Sequence, residues 1–400
     1  MTSNWKHRTF PVAVLALAVS SAQGTQHLVA PGDDWQKLAS RLRSGDEIIL
    51  MPGEHRPASF TMLHGTRAKP ITIRGINRAN PAVIAADRVG ITLHRPQHVV
   101  LENLIVTGAS IAGIVADDAD GSGATESPRG DPWPANLVIR HVSVTKTGPR
   151  GERHAIELGG LQDVRIEDVR IEGWAGSGLE LVGCHKVRIE RCRFIGLKNH
   201  SQLRAIQVRG GSQYVAIHHC RFENAGDLVL HVGGASARAE FRPTLADDAP
   251  PGSQFEARYV QVQHCTFIGG NCPIALSNCD STLVRNNTIV RPQRWVLGIL
   301  DEQDDPRFAP TTRAVFGANL IVWEPGDLQR LAYVAEGVEA DRFGMHQNLW
   351  WSAEPPDLRE ALGPLPGEGR FAQITIVDPK LDEHLKPTEP LAELFGANAL

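Results

Sequence analysis

Asp163–Asn199, DVRIEDVRIEGWAGSGLELVGCHKVRIERCRFIGLKN, says one thing twice. Asp163-Val-Arg-Ile-Glu-Asp-Val-Arg-Ile and Lys186-Val-Arg-Ile-Glu-Arg-Cys-Arg-Phe carry the same order of apolar and polar residues. Written V-x-I-x-x-Z-x-F, with Z small or amide-bearing, the phrase recurs at Val99–Val106, Leu137–Val144, Val164–Ile171, Val187–Phe194, Val215–Phe222 and Val260–Phe267. Weaker copies follow at Thr282–Ile289, Ala314–Ile321 and Phe343–Trp350. A helix would place apolar residues three and four apart; alternation predicts short strands with one buried face. A second short strand follows each phrase after a turn, as in Ile156-Glu-Leu, Leu179-Glu-Leu, Ile206-Gln-Val, Leu230-His-Val and Ile274-Ala-Leu. Coils this small cannot bury their faces alone and must stack, which predicts an all-β, single-stranded right-handed parallel β-helix.

The Z column reads Leu104, Val142, Val169, Cys192, Cys220, Cys265, Asn287, Asn319, Asn348. Stacked inward asparagines hydrogen-bond from coil to coil, and stacked cysteines fill the same small space apolarly. Cys192, Cys220 and Cys265 therefore read as a buried thiol ladder, although six cysteines in an exported chain also admit disulfides. His219 and His264 precede two of them, but neighbours at a bend point to opposite sides, which disfavours zinc. Asp34-Trp-Gln-Lys-Leu-Ala-Ser-Arg-Leu predicts a short N-terminal capping helix with Asp33 or Asp34 as its cap.

Lys6, His7 and Arg8 precede an apolar run, Phe10 to Val19, and small residues up to Gly24. That order predicts a signal peptide over 1–24 and an exported, periplasmic or extracellular chain with no later membrane span. The β-helix with its cap is expected over 25–350, and an irregular last coil with a tail over 351–400. A formal charge of −4 argues against a nucleic-acid partner. A monomer is expected.

"GDEIILMPGEH", the asparagine column and "DPKLDEHLKPTEP" resemble the pectate-lyase-like superfamily of exported β-helix proteins. Within it, "GGASARAEFRP" and the segment Phe255–Leu300 are most similar to bacterial right-handed β-helix repeat proteins. A looser similarity links the chain to the alginate and chondroitin lyases of polysaccharide lyase family 6. The resemblance implies the fold and an acidic polysaccharide or oligosaccharide as partner. It leaves the activity open, because such folds host lyases, hydrolases, epimerases and non-catalytic adhesins. The motifs of β-helix polygalacturonases and mannuronan epimerases are absent, and a partial match to the family 6 calcium set falls on Glu157 and Glu180.

Aligned on their apolar neighbours, the second strands present outward Val115, Glu157, Glu180, Gln207, His231 and Ala275. The next outward position reads Asp117, Gly159, Val182, Arg209, Gly233 and Ser277; His154, Ser177 and Arg204 stand before the strand, with Lys198 on the preceding turn. Two carboxylates about 5 Å apart repel by about 3–4 kcal/mol at an effective dielectric near 20. With no base evident between them, Glu157 and Glu180 are candidate Ca²⁺ ligands, supplemented by Gln207. Insertions at Asp117–Pro134, Gly234–Phe255 and Asp301–Thr312 all follow the second strand and should wall a groove beside this column. They, and the turn before "WVLGIL", bring Arg238, Arg242 and Arg294, whose guanidinium forks suit carboxylate-bearing sugars or pin the loops.

The chemistry this suggests is β-elimination on a uronate polysaccharide. Ca²⁺, Arg204 or Arg209 neutralises the carboxylate, and Lys198 or His231 removes the C5 proton. His154 and Gln207 would contact substrate. A glycoside hydrolase using Glu157 and Glu180, an epimerase, and a non-catalytic glycan-binding or surface-structural β-helix are the alternatives. The first-strand face, where Arg165, Glu167, Arg170, Arg188, Glu190 and Arg193 stack, reads as solvated surface.

Overall fold

The computed structural model describes residues 24–119, 133–328, 330–339, 342–354 and 377–399. Residues 1–23 of the expected signal peptide, most of the first insertion and all of 355–376 lie outside the described residues. Within them the chain coils through three sheets, each paired parallel strand to strand from one coil to the next. The coil around the opening phrase shows the unit. Gln162–Glu167 lies in the first sheet, Arg170–Trp174 in the second and Ser177–Val182 in the third. Arg188 sits in register between Arg165 and Ala216, and Glu180 between Glu157 and Gln207. The repeated alternation has the predicted effect: apolar residues of successive coils form one continuous core.

One detail differs from the expectation. Each phrase is two strands, not one, because the residue before Z turns the chain. Asn103, His141, Asp168, Arg191, His219, His264, Asn286, Ala318 and Gln347 all have φ between 50° and 56°. Six of these nine are Asn, Asp or His, the side chains that tolerate the left-handed region best. The turned residue faces out and Z faces in. His219 and His264 accordingly stack outside at 5.2 Å, while Cys220 and Cys265 are buried.

The asparagine ladder forms as predicted. Asn287 donates from its backbone N–H and its amide to Asn319 Oδ1, and Asn319 does the same to Asn348 Oδ1, each at 3.0 Å. Cys265 donates its backbone N–H to Asn287 Oδ1, joining the thiol column to the amide column. All six cysteines are free and buried, and burial pushes Cys184 and Cys272 up to about 12. Two residues beyond Z, the rings of Phe194, Phe222 and Phe267 stack at 5.0 and 4.6 Å along the axis.

The capping helix is a 3₁₀ segment, Trp35–Arg41, and Asp34 makes no side-chain cap bond. Its anchor is Trp35, buried against Phe60 at 5.3 Å and donating Nε1–H to the Arg56 carbonyl. At the other end the tail returns over the second sheet, where Ala392 and Phe395 cover Leu320 and Leu349. No helix among the described residues is long and apolar enough to cross a membrane.

Candidate functional site

Strand register places the predicted column on the outer face of the third sheet. Val115, Glu157, Glu180, Gln207, His231 and Ala275 are successive partners, continuing to Gly298 and Tyr333. Arg204 pairs with Ser177, one rung from the position of His154.

Two loops wall the column. Gly234–Phe255 and the segment after Leu300 pack on each other through Phe241 and Phe308, 5.2 Å apart. Glu256, fully buried, ties them by accepting from Gly210 N–H, Ser236 N–H, Ser236 Oγ–H and Gln303. Gly183 is where the first of these loops crosses the strand ends. Its φ is 61°, and a Cβ there would lie 2.7 Å from Arg242.

The expectation that no base stands between Glu157 and Glu180 is corrected. Glu180 is 2% exposed; Arg209 Nε–H donates to Oε1 at 2.6 Å and Ser177 Oγ–H to Oε2 at 2.5 Å. Arg209 also bonds Glu240 at 2.6 Å and Ser236 Oγ at 3.2 Å. Burial alone would favour loss of its proton, but the bonds to Glu240 and Glu180 reverse that and raise its pKa above the ordinary value. Arg209 is therefore a fixed cation and no base. With both oxygens of Glu180 engaged, the pair does not fit a calcium site. Among the described residues no group of three or more His, Cys, Asp and Glu side chains is placed to hold a metal ion.

Glu157 is in a different state. It makes no hydrogen bond among the described residues, and its pKa is raised, chiefly by burial. His154 opposes the shift, Glu180 adds to it, and Arg209 opposes it again. The Ser177 backbone N–H donates to His154 Nδ1 at 3.1 Å, which leaves the ring proton on Nε2. His154 Nδ1 lies 3.6 Å from Glu180 Oε2, so its ring stands beside that carboxylate. Arg204 reaches across the Ser177 rung to Glu152 at 3.2 Å, and its buried Nε has no partner.

His231 is not available as a base. Its ring is 1% exposed, Gln207 Nε2–H donates to Nδ1 at 3.4 Å, and Nε2–H donates to Glu302 at 2.9 Å. Burial raises the Glu302 pKa, the hydrogen bond from His231 lowers it, and the net shift is downward. Asn278 fixes Glu302 by accepting its backbone N–H at 2.9 Å. Ser177 was placed before the strand by the sequence but given no role; Glu302 and Glu240 escaped the sequence reading. Both sit in insertions without periodicity, and only the placement of those insertions beside the column signalled them.

The remaining predicted residues disperse. Lys198 is exposed on the turn between Arg193–Ile195 and Arg204–Arg209, with no hydrogen bond or ion pair among the described residues. Arg238 pairs with Asp247 and the Leu245 carbonyl, pinning its own loop. Arg242 bonds Asp118 at 2.6 Å and the Ala239 carbonyl at 2.7 Å, pinning that loop to the root of the first insertion. Arg294 lies over the Trp295 ring at 4.0 Å, and Trp295 stacks on Tyr333 at 4.6 Å, several rungs beyond Glu157.

A family model described as "Right handed beta helix region" matches residues 154–293, in line with the handedness expected from the repeat. No curated protein matches the chain in sequence. Among solved structures, the mannuronan C-5 epimerase AlgE4 A-module of Azotobacter vinelandii aligns over 80% of this chain and 91% of its own. That match has a TM-score of 0.50 and 12% identity. The alginate lyase from Paenibacillus sp. str. FPU-7 aligns over 80% of this chain and 99% of its own, with TM-score 0.47 and 14% identity. Pectate lyase Pel9A aligns over 88% and 80%, with TM-score 0.49 and 11% identity. At such identities the shared property is the fold.

Proposed function

We propose that the outer face of the third sheet binds an acidic polysaccharide and cleaves it by β-elimination, with Glu157, His154 and Arg204 as the working groups. The observation that carries this reading is Glu157: a carboxylate left without a hydrogen bond among the described residues, its pKa raised, beside a histidine that holds its proton on the free nitrogen. A raised pKa makes Glu157 a stronger proton acceptor than an ordinary carboxylate. Arg204, charged and partly exposed, faces the substrate carboxylate and takes the role that calcium fills poorly here. Glu157 removes the C5 proton, the C5–H electron pair forms the C4=C5 double bond, the C4–O bond breaks, and His154 Nε2–H protonates the departing oxygen.

Distance supports this grouping over one that includes His231. At about 4.8 Å per rung, His231 lies roughly 14 Å from Glu157, too far for both to act on one glycosidic bond. A retaining hydrolase needs a second free carboxylate beside the first, and Glu180 is held by Arg209 and Ser177. The test is formation of unsaturated sugar ends, read by ultraviolet absorbance. Glu157→Gln should lower the rate by about 100-fold or more, the range of general-base catalysis. Lys198→Ala should leave it within about twofold. Equal loss in both variants, or none in Glu157→Gln, would refute the assignment.

A further inference from the structure

On a different side of the prism, the first sheet carries a groove of about 520 Å³ along its outer face. One rim is the row His98, Asn136, Asp163, Lys186 and Tyr214. All have φ between 51° and 62°, so each leaves the sheet at a similar angle. The floor is partly apolar: Val138 and Ala216 occupy outward positions of that face.

The charges lining the groove are unbalanced. Arg67, Arg165 and Lys186 are exposed and have no ion pair among the described residues, whereas Asp163 is the one carboxylate among the lining residues. Arg188 makes a pair with Glu190, at 3.3 Å and 61% exposed. Arg165, on the face read from sequence as solvated surface, thus has no acid paired with it among the described residues. On a chain of net charge −4, this is a local reversal of sign.

Tyr214, 55% exposed, ends the groove. Its ring stacks on Tyr259 at 5.0 Å and 13°, and Arg258 lies over Tyr259 at 5.5 Å. Tyr259 lies on the side of the next coil, so the other face of Tyr214 is turned to the groove.

We infer that this groove is a second, non-catalytic glycan site that holds a segment of acidic polysaccharide against Tyr214 and the Arg165–Lys186–Arg188 cations. Cations on neighbouring rungs are spaced at about 4.8 Å, close to the length of one sugar unit. From His98 to Tyr214 is roughly 19 Å, room for three or four units. The flat tyrosine ring offers an apolar platform for the C–H face of a sugar, and guanidinium forks meet its carboxylates. A single open aromatic face is not the run of platforms that a single-stranded nucleic acid requires. The inference shares the substrate class of the third-sheet reading and none of its chemistry.

The test is affinity electrophoresis of the full chain through gels containing alginate, pectate or chondroitin sulfate, with DNA and a neutral mannan as controls. The double variant Lys186→Ala/Tyr214→Ala removes two exposed side chains and should leave folding intact, as circular dichroism will report. It should weaken retention by the preferred acidic glycan about tenfold and reduce the salt dependence of that retention. Turnover of short oligosaccharides should stay within about twofold of the wild type. Retention equal to the wild type overturns the groove, as does a parallel loss of equally tight DNA binding. Groove-dependent retention without any turnover would defeat only the third-sheet chemistry; turnover with unchanged retention would defeat only the groove.

Discussion

Glu157 and Glu180 stand on adjacent rungs with the same side chain, and their surroundings separate them. Glu180 is buried and neutralised by Arg209, so it serves the structure. Replacing Arg209 with leucine would strand a buried charge, and such losses are worth about 3–5 kcal/mol. Urea unfolding of Arg209→Leu should show that order of destabilisation; a change below about 1 kcal/mol would mean that the pair is solvated. Glu157 has the opposite sign. Folding raises its pKa, so the folded state keeps a proton that the unfolded chain releases from about 4.5 upward. Its contribution to stability is present below that value and is lost as pH rises through the raised folded value. Glu157→Gln should therefore gain stability relative to the wild type as pH increases from acid to neutral, measured by unfolding midpoints at both. The same titration places the acidic limb of the rate profile above the ordinary carboxylate range, since the base must be ionised.

Among the elements, the bend between the first and second sheets bears most of the specificity. An αL residue reverses the chain without disturbing the count of apolar positions, and so one phrase of sequence conceals two strands. Alternation made the strands and the inward column legible, whereas a change of sheet within the phrase leaves no mark on apolar spacing. The asparagine ladder was legible because stacked amides, each with both a donor and an acceptor, can pair from coil to coil. Asn319 shows what it contributes: its Oδ1 accepts from the Asn287 backbone and amide, and its own amide reaches the Val284 carbonyl. Asn319→Ala leaves the buried Asn287 backbone N–H without its partner, at about 1–3 kcal/mol, while the Asn287 amide keeps the Val262 and Arg285 carbonyls. Unfolding of this variant should lose more stability than Cys220→Ala, which removes a thiol whose bonds to carbonyls are weak. The reverse order would mean that the ladder only fills space.

For the whole molecule, stacking converts register into function. Because side chains on successive coils stay in line, an outward column could be aligned from sequence, and the chemistry-bearing residues fell on one face. The loops had no period to align, so Glu302 and Glu240 came only with the structure. Of the two roles the sequence left open to Arg238 and Arg242, their ion pairs are those of pins that hold the loop. The central claim is that this scaffold cleaves a uronate polymer through its own side chains. The most direct measurement is ultraviolet absorbance of unsaturated ends during incubation of the wild-type protein with alginate, pectate and chondroitin, with calcium and with chelator. The account predicts a steady rise with one polymer that persists in chelator, since Arg204 takes the neutralising role. New reducing ends without absorbance, no product from any polymer, or activity abolished by chelator would contradict it.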